Sequence, residues 1–279
     1  MTRQEVINLF QTYLRRKPQE ADIAVHIHKS KEIFEQEISN CVERTQLLKN
    51  SLRRTVEELV LHCTTSLESR IAKNTSNSGA SYVIDCGAWD GSETLALLKQ
   101  FPNSMVVVIE PVREMYEKHL LPKLGNNSRV KILPMAVDGK TGFRKFNINN
   151  KHHFVSSFFE FRTAESAEWP IPLKFDQSYT VPTITLYDVC LLFNINRIEH
   201  LHMDTQGNDF VALKSLGDKI KIVETGVCEA SYRLNLYDGA DNGHQTVKSW
   251  LNACGFDVSL KPHHMNKNNE CDVHFRRKP

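Results

Sequence analysis

Residues Tyr82–Thr94 read YVIDCGAWDGSET, a short apolar strand that ends in an acid and opens into a glycine-bearing turn. Val83 and Ile84 suit a buried parallel strand, and Asp85 falls at its carboxyl end. Gly87 and Gly91 permit a tight turn with close backbone approach, and Ser92 is placed to cap the helix that follows. In an open α/β sheet, nucleotide-like ligands bind in the crevice beyond the carboxyl ends of the strands. A second acid, Glu110, ends the next apolar run, MVVVI at Met105–Ile109. It lies about 25 residues after Asp85, close to the roughly 20-residue spacing of a carboxylate that holds a ribose diol. The two acids together point to a nucleoside cofactor and leave its identity open.

Outward from that stretch, the chain divides at the polar linker Asn74–Gly79, NTSNSG. Before it, Val6, Ile7, Leu9, Phe10, Tyr13 and Leu14 recur at helical spacing, and Leu52, Val56, Leu59 and Val60 repeat the pattern. Residues 1–78 are therefore expected to be a helical segment, and 79–279 an α/β domain with strands alternating with helices. Strands are expected over 81–86, 105–110, 129–135, 199–204, 221–229, 256–261 and 271–276. Helices are expected near 92–100, 112–124, 208–216 and 244–254. The last two strands are joined by a turn too short for a crossover helix, so they should pair antiparallel at one sheet edge. Between the third and fourth parallel strands lies a long insertion, roughly 140–198, with FVSSFFEF at Phe154–Phe161 and YTVPTITL at Tyr179–Leu186. Loops over the carboxyl edge of a sheet commonly carry substrate contacts.

Bulk composition narrows the classes. The net charge of +2 over 279 residues gives no electrostatic footprint for nucleic acid. No apolar run approaches the roughly 18 residues of a membrane span, and the first residues lack the apolar core of a signal peptide. The seven cysteines are scattered and never spaced as CxxC, which fits reduced thiols in the cytoplasm. Oligomeric state is not legible. His263, His264 and His274 fit a polar hairpin turn better than a metal site, since no Cys or acid has ligand spacing there.

The ordered pieces IDCGAWDGSET, VIEP (Val108–Pro111), PMAVDGKTG (Pro134–Gly142), VSSFF (Val155–Phe159), VPTITLYDV (Val181–Val189) and HLHMDTQGNDFVALKSL (His200–Leu216) resemble an FkbM-type methyltransferase. This is a branch of the Rossmann-like enzymes that use S-adenosylmethionine. The resemblance implies a class I methyltransferase sheet, mostly parallel with an antiparallel final strand, preceded here by the helical segment. It also implies a cofactor set. Asp85 and Gly87 would line the methionine end, with Ala88, Trp89 and Gly91 completing the turn. Glu110, beside Pro111, would grip the ribose, and Ala136, Val137 and Asp138 would lie by the adenine. Asp204 would face the transferred methyl. The family's DxEGxE pattern reads here as Asp204-Thr-Gln206-Gly207-Asn-Asp209, with Gln in place of a Glu. The segment Leu9–Ile23 resembles small helical modules found beside glycan-modifying domains, which inclines the acceptor towards a sugar.

Methyl transfer to a hydroxyl is an in-line displacement that needs alignment and a proton acceptor. Asp204 is the expected base. His202, two residues earlier on the same face, either shuttles the proton or packs in the sheet. Ser156, Ser157, Gln206, Glu229 and Tyr232 are candidate acceptor contacts. Asp204 and Glu229 are also a candidate pair for one Mg²⁺ or Mn²⁺. Asp188 is expected to open a helix rather than to act in catalysis. The expected function is S-adenosylmethionine-dependent O-methylation of a sugar or glycosylated acceptor. The alternatives are a catalytically silent glycan- or partner-binding module, or an NAD-dependent oxidoreductase.

Overall fold

The computed structural model describes residues 79–162, 173–232, 236–262 and 269–279. The helical segment expected over 1–78 lies outside the described residues, as do His263 and His264. Along the chain, β1 (Tyr82–Cys86), α1 (Ser92–Gln100), β2 (Met105–Ile109), α2 and β3 (Val130–Leu133) come first. Helix α2 runs through Arg113–Met115, a π turn at Tyr116–Leu120, and Leu121–Leu124. The insertion supplies β4 (Ala136–Val137), β5 (Gly142–Ile148), β6 (Glu160–Phe161), β7 (Gln177–Ile184) and α3 (Leu186–Leu192). Then follow β8 (Ile198–Met203), α4 (Asp209–Lys214), β9 (Val223–Ser231), β10 (Tyr237–Asp238), α5 (His244–Ala253), β11 (Phe256–Pro262) and β12 (Glu270–Arg277).

The main sheet has the order β11-β12-β9-β8-β1-β2-β3. β1 pairs in parallel with both β2 and β8, while β12 runs antiparallel to β9 and β11. This is the mostly parallel class I methyltransferase arrangement, with its reversed final strand. As expected, the last two strands pair antiparallel at one edge, with β11 outermost and β12 between it and β9. Every residue of β1 is buried, as a central strand covered on both faces requires. Alternation sends Val83, Val106 and Val108 to one face, against Leu97, Leu98 and Leu120. Ile84, Val107 and Ile109 go to the other, against Phe210, Leu213 and Leu251.

α1 starts as expected, but its cap differs. Gly91 is the N-cap residue in left-handed backbone, and the Ser92 amide is taken by Asp90 Oδ1 at 3.0 Å. Asp90 thus does the work expected of Ser92, through an Asx-type turn two residues upstream. Asp188 behaves as expected: it lies in the first turn of α3, and its amide donates to the Thr185 hydroxyl at 3.0 Å.

The insertion builds its own sheet, ordered β4-β7-β5, with β7 parallel to β4 and antiparallel to β5. Pro182 is tolerated inside β7 because β4 pairs only with Thr183 and Ile184, which leaves one edge open at the proline. Val112, Ala136, Phe146, Ile148 and Val181 form the apolar layer beneath this small sheet. Strand β6 pairs with β10, so the Phe-rich segment is tied to the loop after β9. Among the described residues, no helix is long and apolar enough to cross a membrane.

Candidate functional site

From β1 the chain builds outward to β2 and β3, then returns to β8 and β9 on the other side. The switch point therefore falls between β1 and β8, where an open sheet parts into a crevice. A cleft with a cavity volume of about 160 Å³ opens there. Of the residues expected at the site, it is lined by Gly87, Ala88, Trp89, Glu110, Pro111, Ala136, Val137, Ser156, His202, Asp204 and Gln206.

Gly87 is what lets β1 and β8 meet. Its φ is +80°, and a Cβ there would lie 1.8 Å from the Asp204 carbonyl oxygen. The Asp204 amide in turn donates to the Cys86 carbonyl at 2.9 Å. Turn and strand end are thus one unit, and Asp204 is carried to the cleft by it.

Glu110 closes the other side. It is 4% exposed, and its two oxygens accept backbone amides from Trp89 at 2.8 Å and Val112 at 2.7 Å. Burial pushes its carboxyl up to about 8, against the pull of those amides, with Asp85 and Asp204 adding repulsion. Each oxygen keeps a second lone-pair direction for a ligand hydroxyl. Trp89 itself has left-handed backbone (φ 46°) and is 43% exposed. Its indole packs edge-on to Phe154 of the insertion at 5.7 Å.

Asp85 sits below the cleft. It is fully buried; Oδ1 lies 2.9 Å from His202 Nδ1, and Oδ2 accepts the Thr94 hydroxyl. Burial alone would lower the His202 pKa. The Asp85 hydrogen bond and charge, with Asp204 and Glu93, outweigh it and raise the imidazole to about 9.

The segment after β8 is held from three directions. Thr205 binds Asp209 through its amide and its hydroxyl, the latter at 3.0 Å. The Ser157 hydroxyl donates to the Gln206 carbonyl at 2.7 Å. Gln206, at φ 53°, donates its side-chain amide to Asp204 Oδ1, and the Tyr237 hydroxyl lies against its Oε1. Asp209 is fully buried; desolvation, then Asp204, raise its carboxyl to about 7.

A family model, the methyltransferase FkbM domain, matches residues 85–258. The chain belongs to the FkbM methyltransferase family. That family uses S-adenosylmethionine, and membership replaces the nicotinamide-oxidoreductase alternative. No curated protein matches the chain. Solved structures it resembles include magnesium protoporphyrin IX methyltransferase from Synechocystis PCC 6803 with bound SAM. There the identity is 8%, with 78% of this chain and 81% of that one covered, and the TM-score is 0.39. The N-terminal domain of EvdMO1 with SAH bound gives 12% identity, coverages of 76% and 81%, and a TM-score of 0.40. The 1,6-didemethyltoxoflavin-N1-methyltransferase from Burkholderia thailandensis gives 12%, 85% and 90%, and 0.36. At such low scores these likenesses carry no argument about cofactor or acceptor.

Several expected residues of this FkbM-family chain lie off the cleft. Asp138 is paired with Arg144 at 3.1 Å and also accepts the Gly139 amide. Gly91 serves the start of α1, and Ser157 serves the Gln206 loop. Tyr232 packs edge-on to His244 at 5.0 Å. Glu229 pairs across the sheet with Asp272, and its amide donates to Asp209 at 3.3 Å. Burial, then repulsion from Glu270, Asp204, Asp209 and Asp272, pushes its carboxyl well above the ordinary range. The Asp204–Glu229 pair does not fit a Mg²⁺ or Mn²⁺ centre: only Asp204 lines the cleft. No group of three or more His, Cys, Asp or Glu among the described residues is placed to hold a metal.

Thr94, Tyr237 and Phe146 carry no local sequence signal and reach the site only through tertiary packing, whereas the apolar wall Phe158 lies within the VSSFF segment. His153 also lines the cleft, its Nε2 lying 3.3 Å from Glu114.

Proposed function

We propose that the protein transfers the methyl group of S-adenosylmethionine to a hydroxyl of a sugar or glycosylated acceptor. The observation that carries the reading is the placement of Glu110 and Asp204 on opposite sides of one cleft at the β1/β8 switch point. Glu110, fixed by two amides, accepts the ribose hydroxyls. Ile109, Val112, Ala136, Val137, Phe146 and Phe158 supply an apolar slot for the adenine. The sulfonium methyl then points towards Asp204. The acceptor oxygen attacks that carbon as the carbon–sulfur bond breaks, its proton passes to Asp204, and the sulfur leaves as a neutral thioether.

His202, held protonated by Asp85 around neutral pH, is poorly suited to take that proton, so the base in this reading is Asp204. The rim of Trp89 and Phe154 suits the apolar face of a sugar ring. Cys86, Cys190, Cys228, Cys254 and Cys271 are free thiols, in keeping with a cytoplasmic setting.

The test is transfer of a labelled methyl group to a panel of glycans and glycosides, by the unmutated protein and by Asp204→Asn. The reading predicts O-linked label on one acceptor class, with at least a 100-fold loss of rate in Asp204→Asn at unchanged S-adenosylhomocysteine affinity, on the order expected for a lost base. Cofactor binding with no label on any acceptor would favour the silent binding module.

A further inference from the structure

The Asp85–His202 pair is not used by the chemistry above. Asp85 is inaccessible to any ligand, since it is fully buried and both its oxygens are engaged. Its effect on the cleft must therefore pass through His202. With Nδ1 turned inward to Asp85, the imidazole presents Nε2 to the cavity it lines, and no described residue hydrogen-bonds that nitrogen. Ser92 and Glu93, at the start of α1, line the same corner.

Position along the sheet says which part of a ligand arrives there. Neighbouring strands lie roughly 4.8 Å apart, so the end of β8 is on the order of 10 Å from the end of β2, where Glu110 stands. A nucleoside whose ribose is held at Glu110 spans that distance with an amino-acid tail such as a homocysteine. We propose that His202, oriented by Asp85, binds the carboxylate of the cofactor's amino-acid tail through Nε2–H. The assignment rests on the S-adenosylmethionine reading and adds the residue that recognises the tail. Asp85 acts as a positioning residue: it fixes the ring so that Nε2 faces outward. The carboxylates of Asp85, Glu93 and Asp204 around the imidazole favour its protonated form, which is the form that donates from both nitrogens.

The experiment compares S-adenosylhomocysteine with 5′-methylthioadenosine, which lacks the amino-acid tail, by calorimetric titration at neutral pH. In His202→Asn the amide can stand in the Nδ1 place beside Asp85, while the Nε2 group is gone. S-adenosylhomocysteine should bind at least about tenfold more weakly to this variant, and methylthioadenosine within about twofold of the unmutated protein. His202→Gln, whose amide reaches the Nε2 place, should recover part of the loss. In the unmutated protein, the ¹⁵N resonance of His202 Nε2 should move on adding S-adenosylhomocysteine but not methylthioadenosine. That reading stands even if the variants fold poorly. Equal weakening of both ligands, or of neither, or an unmoved Nε2 resonance, overturns the assignment and leaves the cofactor reading intact. Failure of the unmutated protein to bind either ligand defeats both.

Discussion

At the scale of single residues, the site depends on side chains whose states are set by what lies behind them. Glu110 is the clearest case. Burial holds its carboxyl up to about 8, while ribose hydroxyls donate best to the ionised form. Affinity for S-adenosylhomocysteine should therefore rise as pH is raised towards about 8. Glu110→Gln should abolish that rise and weaken binding at least about tenfold, since a charge-assisted hydrogen bond is lost. Calorimetry across pH 6–8, where His202 keeps its proton, checks both; a pH-independent affinity in the unmutated protein over that range would contradict the role given to Glu110. Asp90 illustrates a residue that local sequence pattern leaves ambiguous. Either Asp90 or Ser92 can cap α1, and only the left-handed turn at Gly91 selects the aspartate.

At the scale of elements, the segment after β8 couples three parts of the chain. Tyr237 lies within reach of both Gln206 Oε1 and the Val155 carbonyl. Burial, with repulsion from Glu270, Glu229, Asp204 and Asp209, pushes its phenol well above the ordinary range, so it remains a donor at working pH. Gly207, at φ +91°, packs against its ring; a Cβ there would come within 3.0 Å of it. Tyr237→Phe should cost about 1–2 kcal/mol in urea unfolding and lower the methyl-transfer rate by freeing Gln206 from Asp204. Unchanged stability and rate would show that the clamp is incidental. The main sheet was legible because its strands are continuous apolar runs, with ends read correctly to within about two residues, as at MVVVI. The insertion was not. FVSSFFEF has the composition of a strand, yet only Glu160–Phe161 pair as one. Phe154, Ser156 and Phe158 instead face the cleft, and Ser157 reaches across to Gln206. Glu229 and Tyr232 do not line the cleft: Glu229 stands opposite Asp272 of β12, and Tyr232 packs against His244.

At the scale of the whole molecule, three buried groups with raised values make stability fall as pH rises from 6 to 9. His202 is raised from 6.5 to about 9, Glu110 from 4.5 to about 8, and Asp209 from 3.8 to about 7. Each binds its proton more tightly in the fold than in the unfolded chain. The stability each contributes is full below its ordinary value and lost as pH rises through its folded value. The unliganded protein should melt at progressively lower temperature from pH 6 to 9. His202→Asn should flatten the upper part, where His202 accounts for about 3 kcal/mol; a melting temperature that climbs over this range would contradict the charge states assigned. The β1/β8 cleft as an S-adenosylmethionine site is the inference on which the proposed chemistry rests. The most direct test is calorimetric titration of the protein with S-adenosylmethionine, S-adenosylhomocysteine and NAD. Saturable binding of the first two, lost in Glu110→Gln and absent for NAD, is the predicted result. Binding of NAD alone, or of none of the three, would contradict it.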